Sequence, residues 1–263
     1  AALFKMQNWM KALTSDLLQF LNESPCNFLA VKNVITRLER AGFSEADMAE
    51  PWTLAPGDRR YVVKNSSAIF AFVVGCDTPA AGFHIISAHS DSPGFRIKPN
   101  AEIVGEGGMV TLNTEVYGGP ILYTWFDRPL SIAGRVTVRS SDPLNPDTRM
   151  VNFGRPLLTI PHLAIHFNRA VNEGNPLSRQ RDMLPVLGRV EKPEEAKGLL
   201  TRMVADELGV TPEEILDFDL TLYDTTPACT FGLNDEFISS GRIDDLEMVH
   251  AAVTALCLSL IHI

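Results

Sequence analysis

The fold depends on two strand-like runs, Ala68-Ile69-Phe70-Ala71-Phe72-Val73-Val74 and Gly82-Phe83-His84-Ile85-Ile86-Ser87-Ala88-His89. The first run is apolar on both faces, which is typical of a central strand covered on both sides. The second run predicts another strand, and its final residues turn polar. Two helical patterns precede them, over residues 7–23 and 29–38, and Gly42 is placed to end the second as a left-handed cap. Helices followed by buried strands predict an α/β layer structure.

The pattern changes after the second strand. Segments 110–116 and 132–138 alternate apolar with polar residues, as antiparallel strands with one face in water do. Further along the chain a helical pattern resumes. We therefore predict an α/β domain in two parts, residues 1–96 and 236–257, interrupted by a largely β domain over residues 97–235.

Composition excludes several classes of protein. Of the 263 residues 45% are hydrophobic and 21% are charged, which is typical of a globular protein with a sizeable core. The net charge of −9 argues against nucleic acid as a partner, and no apolar run is long enough to cross a membrane. The four cysteines are widely scattered, which indicates a reducing compartment and predicts a cytoplasmic location. They are Cys26, Cys76, Cys229 and Cys257.

The last six residues form an unusual ending. A helical pattern from Asp244 runs directly into Leu258-Ser259-Leu260-Ile261-His262-Ile263, with no cap and no closing charge. The same hexapeptide is one translation of a common sequencing adapter. We interpret residues 258–263 as an artefact of assembly and the chain as a fragment, so His262 is left out of the site. A short apolar tail that docks on the core is the alternative.

The segment Ala88-His89-Ser90-Asp91-Ser92-Pro93 carries the clearest chemical signal. It follows a predicted strand, and ligands bind at the carboxyl ends of strands in open α/β sheets. In a His-x-Asp spacing the imidazole can face the cleft while the carboxylate accepts its other N–H, which fixes the tautomer of a metal-binding histidine. A solvated His–Asp pair that caps the strand is the alternative.

Two other places in the chain carry candidate ligands. Asp244 and Asp245 open the last helical pattern, where the helix dipole favours carboxylates, so taken alone they predict an ordinary helix cap. His162 and His166 lie four apart, so they could share a helix face and bind a metal, or serve as one structural and one reactive histidine. The sequence has no serine-hydrolase elbow, no phosphate-binding loop and no dinucleotide fingerprint.

Taken together and in order, these segments resemble the M18 family of metallo-aminopeptidases, the aspartyl aminopeptidases. The resemblance extends from about Leu13 to Leu256. Its motifs are Phe20-Leu21, Ser24-Pro25, Asn65-Ser66-Ser67, Ala88-His89-Ser90-Asp91-Ser92-Pro93, Tyr117-Gly118-Gly119, Thr124-Trp125-Phe126-Asp127-Arg128, Ile160-Pro161-His162-Leu163-Ala164-Ile165-His166, Val171-Asn172-Glu173-Gly174, Leu184-Pro185-Val186-Leu187, Asp224-Thr225-Thr226-Pro227-Ala228, Asp235-Glu236-Phe237 and Arg242-Ile243-Asp244.

The resemblance implies a phosphorylase/hydrolase-like α/β catalytic domain, interrupted by an inserted β-rich dimerisation domain. It implies a homo-oligomer, a dodecamer assembled from dimers, that removes N-terminal Asp or Glu residues from peptides. Two metal ions per active site are implied, usually Zn²⁺, with Mn²⁺ or Co²⁺ as alternatives. Neutral-residue specificity of the leucine type is one alternative, and a non-catalytic assembly subunit is another.

The resemblance also implies roles for single residues. His89 matches a metal ligand, Asp91 the carboxylate that orients it, and Asp244 the aspartate that bridges both metals. His166 matches a histidine that reaches the active site of a neighbouring subunit and steadies the substrate or the transition state. Asp245 stands where the family usually has Asn, so it is left unassigned.

The remaining ligands of the family and its general base have no counterpart in this chain. They are a Glu-Glu pair, an Asp and a late His, and all follow the point that corresponds to Ile263. Zinc needs three or four protein ligands, and this chain offers two. We therefore expect the chain on its own to be inactive. No catalytic role is carried over to His162.

Overall fold

The computed structural model of the chain describes residues 2–76 and 82–258. The helices are α1 (Ala2–Glu23), α2 (Asn27–Arg40), α3 (Pro193–Ala196), α4 (Leu199–Leu208) and α5 (Ile243–Leu258). The strands are β1 (Ser44–Glu45), β2 (Arg59–Lys64), β3 (Ala68–Val73), β4 (Gly94–Val104), β5 (Met109–Tyr117), β6 (Leu130–Val138), β7 (Asp147–Asn152), β8 (Val186–Arg189), β9 (Ile215–Asp224), β10 (Cys229–Phe231) and β11 (Phe237–Ser239). The hexapeptide interpreted as an artefact lies outside the described residues, except for Leu258, which ends α5.

The chain divides into two compact units. The first comprises Ala1–Ser92 together with Pro227–Ile263, and the second comprises Pro93–Thr226. The chain therefore leaves the first unit and returns to it. The domain limits that the sequence pattern suggested, after residues 96 and 235, stay predictions.

The first unit combines helices with a small sheet. Strands β1, β2 and β3 form a three-stranded sheet, in which β1 and β2 are parallel and β2 and β3 antiparallel. The core of this unit is formed by Phe20, Leu21, Ala30, Val34, Leu38, Phe43, Tyr61, Ala228 and Leu246. Helix α2 ends as predicted, because Gly42 has a left-handed φ of 84° and the Phe43 N–H donates to the Leu38 carbonyl.

Two predictions for the strands of this unit are wrong. Strand β3 is not covered on both sides, since it lies at the edge of its sheet and the Phe70 side chain is 58% exposed. Residues 82–89 do not form a strand at all, and Phe83 is 85% exposed. A strand is stable only where its backbone groups pair with a neighbour, and none of the described segments pairs with residues 82–89. The apolar pattern alone could not reveal that.

The second unit is built on a six-stranded sheet in the order β7-β6-β9-β4-β5-β8, with every pairing antiparallel. Strands β5 and β6 confirm the alternating segments read from the sequence. Helices α3 and α4 are separate, because Gly198 adopts a left-handed φ of 66° between them. The core of the unit lies between this sheet and α4.

The structure also describes the helices and cysteines on which two predictions from the composition depend. Across the described ranges, no helix combines the length and the apolar character that a bilayer crossing needs. All four cysteines lie in the described residues, and none of them forms a disulfide.

Candidate metal centre

His89 lies in the irregular segment that replaces the predicted strand. Its backbone N–H donates to Oδ2 of Asp245 at 3.2 Å, and the neighbouring Ser90 hydroxyl donates to the Ser67 carbonyl at 3.3 Å. Two hydrogen bonds therefore connect this segment to its neighbours, one to the start of α5 and one to the turn between β2 and β3. The loop position of His89 differs from a strand end, but these contacts fix its backbone.

Asp244 and Asp245 stand at the beginning of α5 in a non-helical conformation. Their φ/ψ angles are −79°/107° and −123°/23°, and the peptide bond between them is cis. Regular helix follows from Leu246, whose side chain is only 1% exposed and lies in the core of the first unit. The Asp244 side chain is 91% exposed, so its carboxylate is available to a ligand.

The structure brings His89, Asp91 and Asp244 together. Nε2 of His89 lies 3.1 Å from Oδ1 of Asp244. Nδ1 of the same ring lies 3.2 Å from Oδ1 of Asp91 and 3.0 Å from the Asp91 backbone oxygen. The two residues of the His-x-Asp spacing thus contact each other, and the third comes from 155 positions away in the chain.

Both ring nitrogens of His89 face oxygen acceptors. A neutral imidazole carries one N–H, so two such contacts require either an imidazolium ion or a cation between one nitrogen and its oxygen. Desolvation lowers the pKa of His89. The hydrogen bond to the Asp91 carbonyl, the charges of Asp91 and Asp245 and the hydrogen bond to Asp244 raise it, and the net pKa lies above its ordinary value. The surroundings of the ring therefore favour positive charge at this point.

The donor pair His89 and Asp244 fits a zinc ion. Ligands at about 2.0–2.1 Å in a tetrahedral zinc centre lie roughly 3.3 Å from each other, and the separation of Nε2 and Oδ1 is 3.1 Å. Asp91 on Nδ1 is the kind of partner that keeps Nε2 free for a metal. In the described parts of the chain, however, no three or more His, Cys, Asp or Glu side chains are grouped to hold a metal. The pair is therefore a partial ligand set.

Asp245 has a contact that the sequence did not reveal. Its Oδ2 accepts the His89 backbone N–H and lies 4.0 Å from Nε2, and its side chain is 22% exposed. This carboxylate, which the sequence left unassigned, therefore joins the His89 segment to the start of α5. A contact to a backbone N–H leaves no signature in the sequence pattern, so sequence reasoning missed it.

His162 and His166 do not share a helix face, because the segment around them is a loop with one turn at residues 165–167. The His162 ring packs on Phe126 with a centroid distance of 4.5 Å, and its backbone N–H donates to Asp127 at 3.0 Å. His162 is thus tied into the second unit. His166 belongs to the same unit, and its side chain is exposed in the turn.

Sequence comparisons give a consistent result. The family model described as "Aminopeptidase I zinc metalloprotease (M18)" matches residues 20–262. A Clostridium novyi (strain NT) protein named "Probable M18 family aminopeptidase 2" is 49% identical over 252 residues, which cover 95% of this chain and 58% of that protein. A protein of the same name from Clostridium acetobutylicum is 50% identical over 241 residues, 91% of this chain and 56% of its own. The chain therefore spans less than two thirds of the length of these relatives.

Comparison with solved structures shows the same similarity. A chain in the cryo-EM structure of the Ape4 and Nbr1 complex superposes with a TM-score of 0.89 at 34% identity, covering 95% of this chain and 51% of that one. The S. cerevisiae mApe1 dodecamer gives a TM-score of 0.80 at 22% identity, covering 95% of this chain and 56% of that chain. At that lower identity the likeness concerns the fold alone.

Proposed function

Because the chain belongs to the M18 family of zinc metalloproteases, we propose that the full-length protein is an aminopeptidase that removes N-terminal Asp or Glu residues from peptides. The observation that carries this proposal is the contact of His89 with Asp244 at 3.1 Å, with Asp91 on the opposite ring nitrogen. One imidazole and one exposed carboxylate in contact are donors that suit zinc. The preference for acidic residues rests on the resemblance to the aspartyl aminopeptidases.

Each residue of the site has a proposed task. His89 and Asp244 would hold zinc, with Asp244 shared between two ions as the resemblance implies, and Asp91 would keep the proton on Nδ1 so that Nε2 is available. When bound by these residues, zinc would supply a water molecule of lowered pKa and a Lewis acid for the scissile carbonyl. Mn²⁺ and Co²⁺ are alternative metals, because nitrogen and oxygen donors also bind them. Asp245 holds the His89 backbone in place.

His166 is proposed to act in a neighbouring subunit of a homo-oligomer. Its imidazole is exposed in the second unit, which is what a group that reaches another subunit requires. The resemblance to the aspartyl aminopeptidases implies an assembly of this kind. In that assembly His166 steadies the substrate, so that activity depends on oligomerisation. A cytoplasmic location is part of the same proposal, and the absence of disulfides among the four described cysteines supports it.

Assays of the full-length protein with Asp-, Glu- and Leu-anilides, with and without a chelator, test the proposal. We expect release from the Asp and Glu substrates that the chelator abolishes and added zinc restores. Preferential release from the Leu substrate would favour the neutral-residue alternative. Absence of hydrolysis from a zinc-loaded, folded protein would favour a non-catalytic assembly subunit.

We also propose that the chain of 263 residues does not hydrolyse peptides on its own. Within the described residues the ligand set is incomplete, and a zinc site needs three or four protein ligands. The purified chain should stay inactive with added zinc or manganese. Metal-dependent turnover by this chain would place the site elsewhere.

A further inference from the structure

The C-terminal turn of α1 is held in place in the core of the first unit. Phe20 and Leu21 are fully buried in its core, and Ser24, just beyond the helix, is fully buried as well. The end of the helix is held by neighbours, since the Asn33 amide donates to the Glu23 carbonyl at 2.7 Å and to the Ser24 hydroxyl at 3.1 Å. The backbone carbonyls of this turn therefore have a fixed position.

Arg242 binds the backbone carbonyls at this end of α1. Its Nε donates to the Ser24 carbonyl at 3.1 Å and its Nη2 donates to the Leu21 carbonyl at 3.2 Å. Helix C-termini leave their last carbonyls without helical partners and carry partial negative charge, which a guanidinium satisfies. Helix α1 has no basic residue in its own last turn, so Arg242 supplies the cation from a distant part of the chain.

The backbone of Arg242 also begins the segment that carries Asp244. Its carbonyl accepts the Leu246 N–H at 3.3 Å, and its φ is 63°, in the left-handed region. Arginine adopts that region rarely, whereas glycine adopts it without steric cost. Arg242 therefore occupies a backbone conformation that disfavours its side chain, and that side chain makes two hydrogen bonds there. The hydrogen bonds of the guanidinium, rather than a favourable φ, stabilise this conformation of Arg242.

We propose that Arg242 is a positioning residue for the metal centre, which joins the start of α5 to the fixed C-terminal turn of α1 and so sets the place of Asp244 relative to His89. This inference rests on the proposed zinc site. Asp244 is exposed and has non-helical torsion angles, so its carboxylate depends on the chain on either side for its position. The buried side chain of Leu246 fixes the chain that follows Asp244, and the Arg242 guanidinium fixes the chain that precedes it.

The test uses the full-length protein and four variants, Arg242→Ala, Arg242→Gly, Arg242→Lys and Arg59→Ala. Zinc affinity is measured by competition with a chromogenic chelator, and the melting temperature is measured on the metal-free proteins. Arg59 is the matched control, because its Nη1 donates to the Ala41 carbonyl at 2.7 Å at the end of α2, a similar contact away from Asp244. All variants are checked for native circular dichroism.

We expect Arg242→Ala and Arg242→Gly to bind zinc about 10–100-fold more weakly than wild type, the loss typical of residues that orient metal ligands. Arg242→Lys keeps the charge but offers no planar fork, so its affinity should lie between these variants and wild type. Arg59→Ala should lower the melting temperature and leave zinc affinity unchanged. Activity at saturating zinc should return in the Arg242 variants, because the ligands themselves are intact.

Three results would overturn the inference. Wild-type zinc affinity in Arg242→Ala would show that the guanidinium does not set the ligand. Wild-type affinity in Arg242→Gly alone would show that only the left-handed turn matters. An equal loss of affinity in Arg59→Ala would show a general effect of stability. If wild type itself bound no zinc, the proposed function would fail instead, so the two failures are distinguishable.

Discussion

Nε2 of His89 lies 3.1 Å from Oδ1 of Asp244, although the two residues are 155 positions apart in the chain. The contact forms between a loop without regular structure and the non-helical start of α5. Asp245 holds the loop through the His89 N–H, while buried Leu246 and the Arg242 guanidinium hold the helix start. The site therefore depends on a few long-range contacts rather than on the sheet edge that the sequence predicted.

Replacement of His89 tests the ligand assignment. In the full-length protein, His89→Ala should lose both bound zinc and peptidase activity, because Nε2 is the nitrogen donor next to Asp244. Bound zinc is measured by elemental analysis after dialysis. His84→Ala is the control, since it removes an exposed imidazole from the same segment. Zinc content equal to wild type in His89→Ala would refute the assignment.

Replacement of His166 tests the proposed contribution of a neighbouring subunit. His166→Ala should keep its zinc and its fold but turn over substrate more slowly, because the imidazole is exposed in a turn of the second unit. The measurements are kcat and zinc content of the full-length protein.

His162→Ala is the comparison for His166. The His162 ring packs on Phe126, so its loss should lower the melting temperature, which His166→Ala should not do. Wild-type kcat in His166→Ala would remove its catalytic role.

Local elements could be predicted from the sequence because their signals are local. The cap at Gly42 follows from a glycine position, and strands β5 and β6 follow from the alternation over residues 110–116 and 132–138. The segment 82–89 was mispredicted because strand formation depends on a partner, which no pattern within the segment encodes. Candidate ligands were visible as residue types, and the family resemblance selected among them.

The contacts that position those ligands could not be predicted. Asp245 binds a backbone N–H 156 positions away, and Arg242 binds backbone carbonyls more than 200 positions away. A backbone acceptor can belong to any residue type, so such a contact leaves no trace in the sequence of its partner. Only the three-dimensional arrangement reveals these two roles.

The carboxylate of Asp16 should make the first unit sensitive to acid. It accepts from Arg37 at 2.6 Å and from the buried His250 at 2.7 Å, so it connects α1, α2 and α5. The Arg37 hydrogen bond lowers the pKa of Asp16, desolvation opposes this, and the His250 hydrogen bond lowers it further. A carboxyl pKa that is lowered on folding adds stability above its unfolded value, about 3.9, and this stability is lost as the pH falls through the folded value.

Asp16→Asn should therefore melt at a lower temperature than wild type at pH 7, and the difference should shrink as the pH falls from 5 towards 2. Melting temperatures of the full-length protein and its variant between pH 7 and pH 2 measure this difference. Glu50→Gln, which removes an exposed carboxylate from the same unit, is the control. A difference between Asp16→Asn and wild type that is constant with pH would contradict the prediction.

Tyr61 should produce a corresponding effect in alkali. Its phenol donates to Glu39 at 2.8 Å, and burial together with this hydrogen bond raises the pKa of Tyr61 to about 12. A tyrosine pKa raised on folding adds stability that is fully present below the unfolded value near 10 and is lost as the pH rises through the folded value. Tyr61→Phe should cost about 1 kcal/mol at pH 8, the worth of one hydrogen bond.

Tyr61→Phe should lose less stability than wild type between pH 10 and 12, because it has no phenol at this position to ionise. Urea unfolding of the full-length protein at several pH values measures both effects. Tyr123→Phe is the control, since it removes a half-exposed phenol from the other unit. Parallel stability curves for Tyr61→Phe and wild type above pH 10 would mean that ionisation of the buried phenol does not oppose folding.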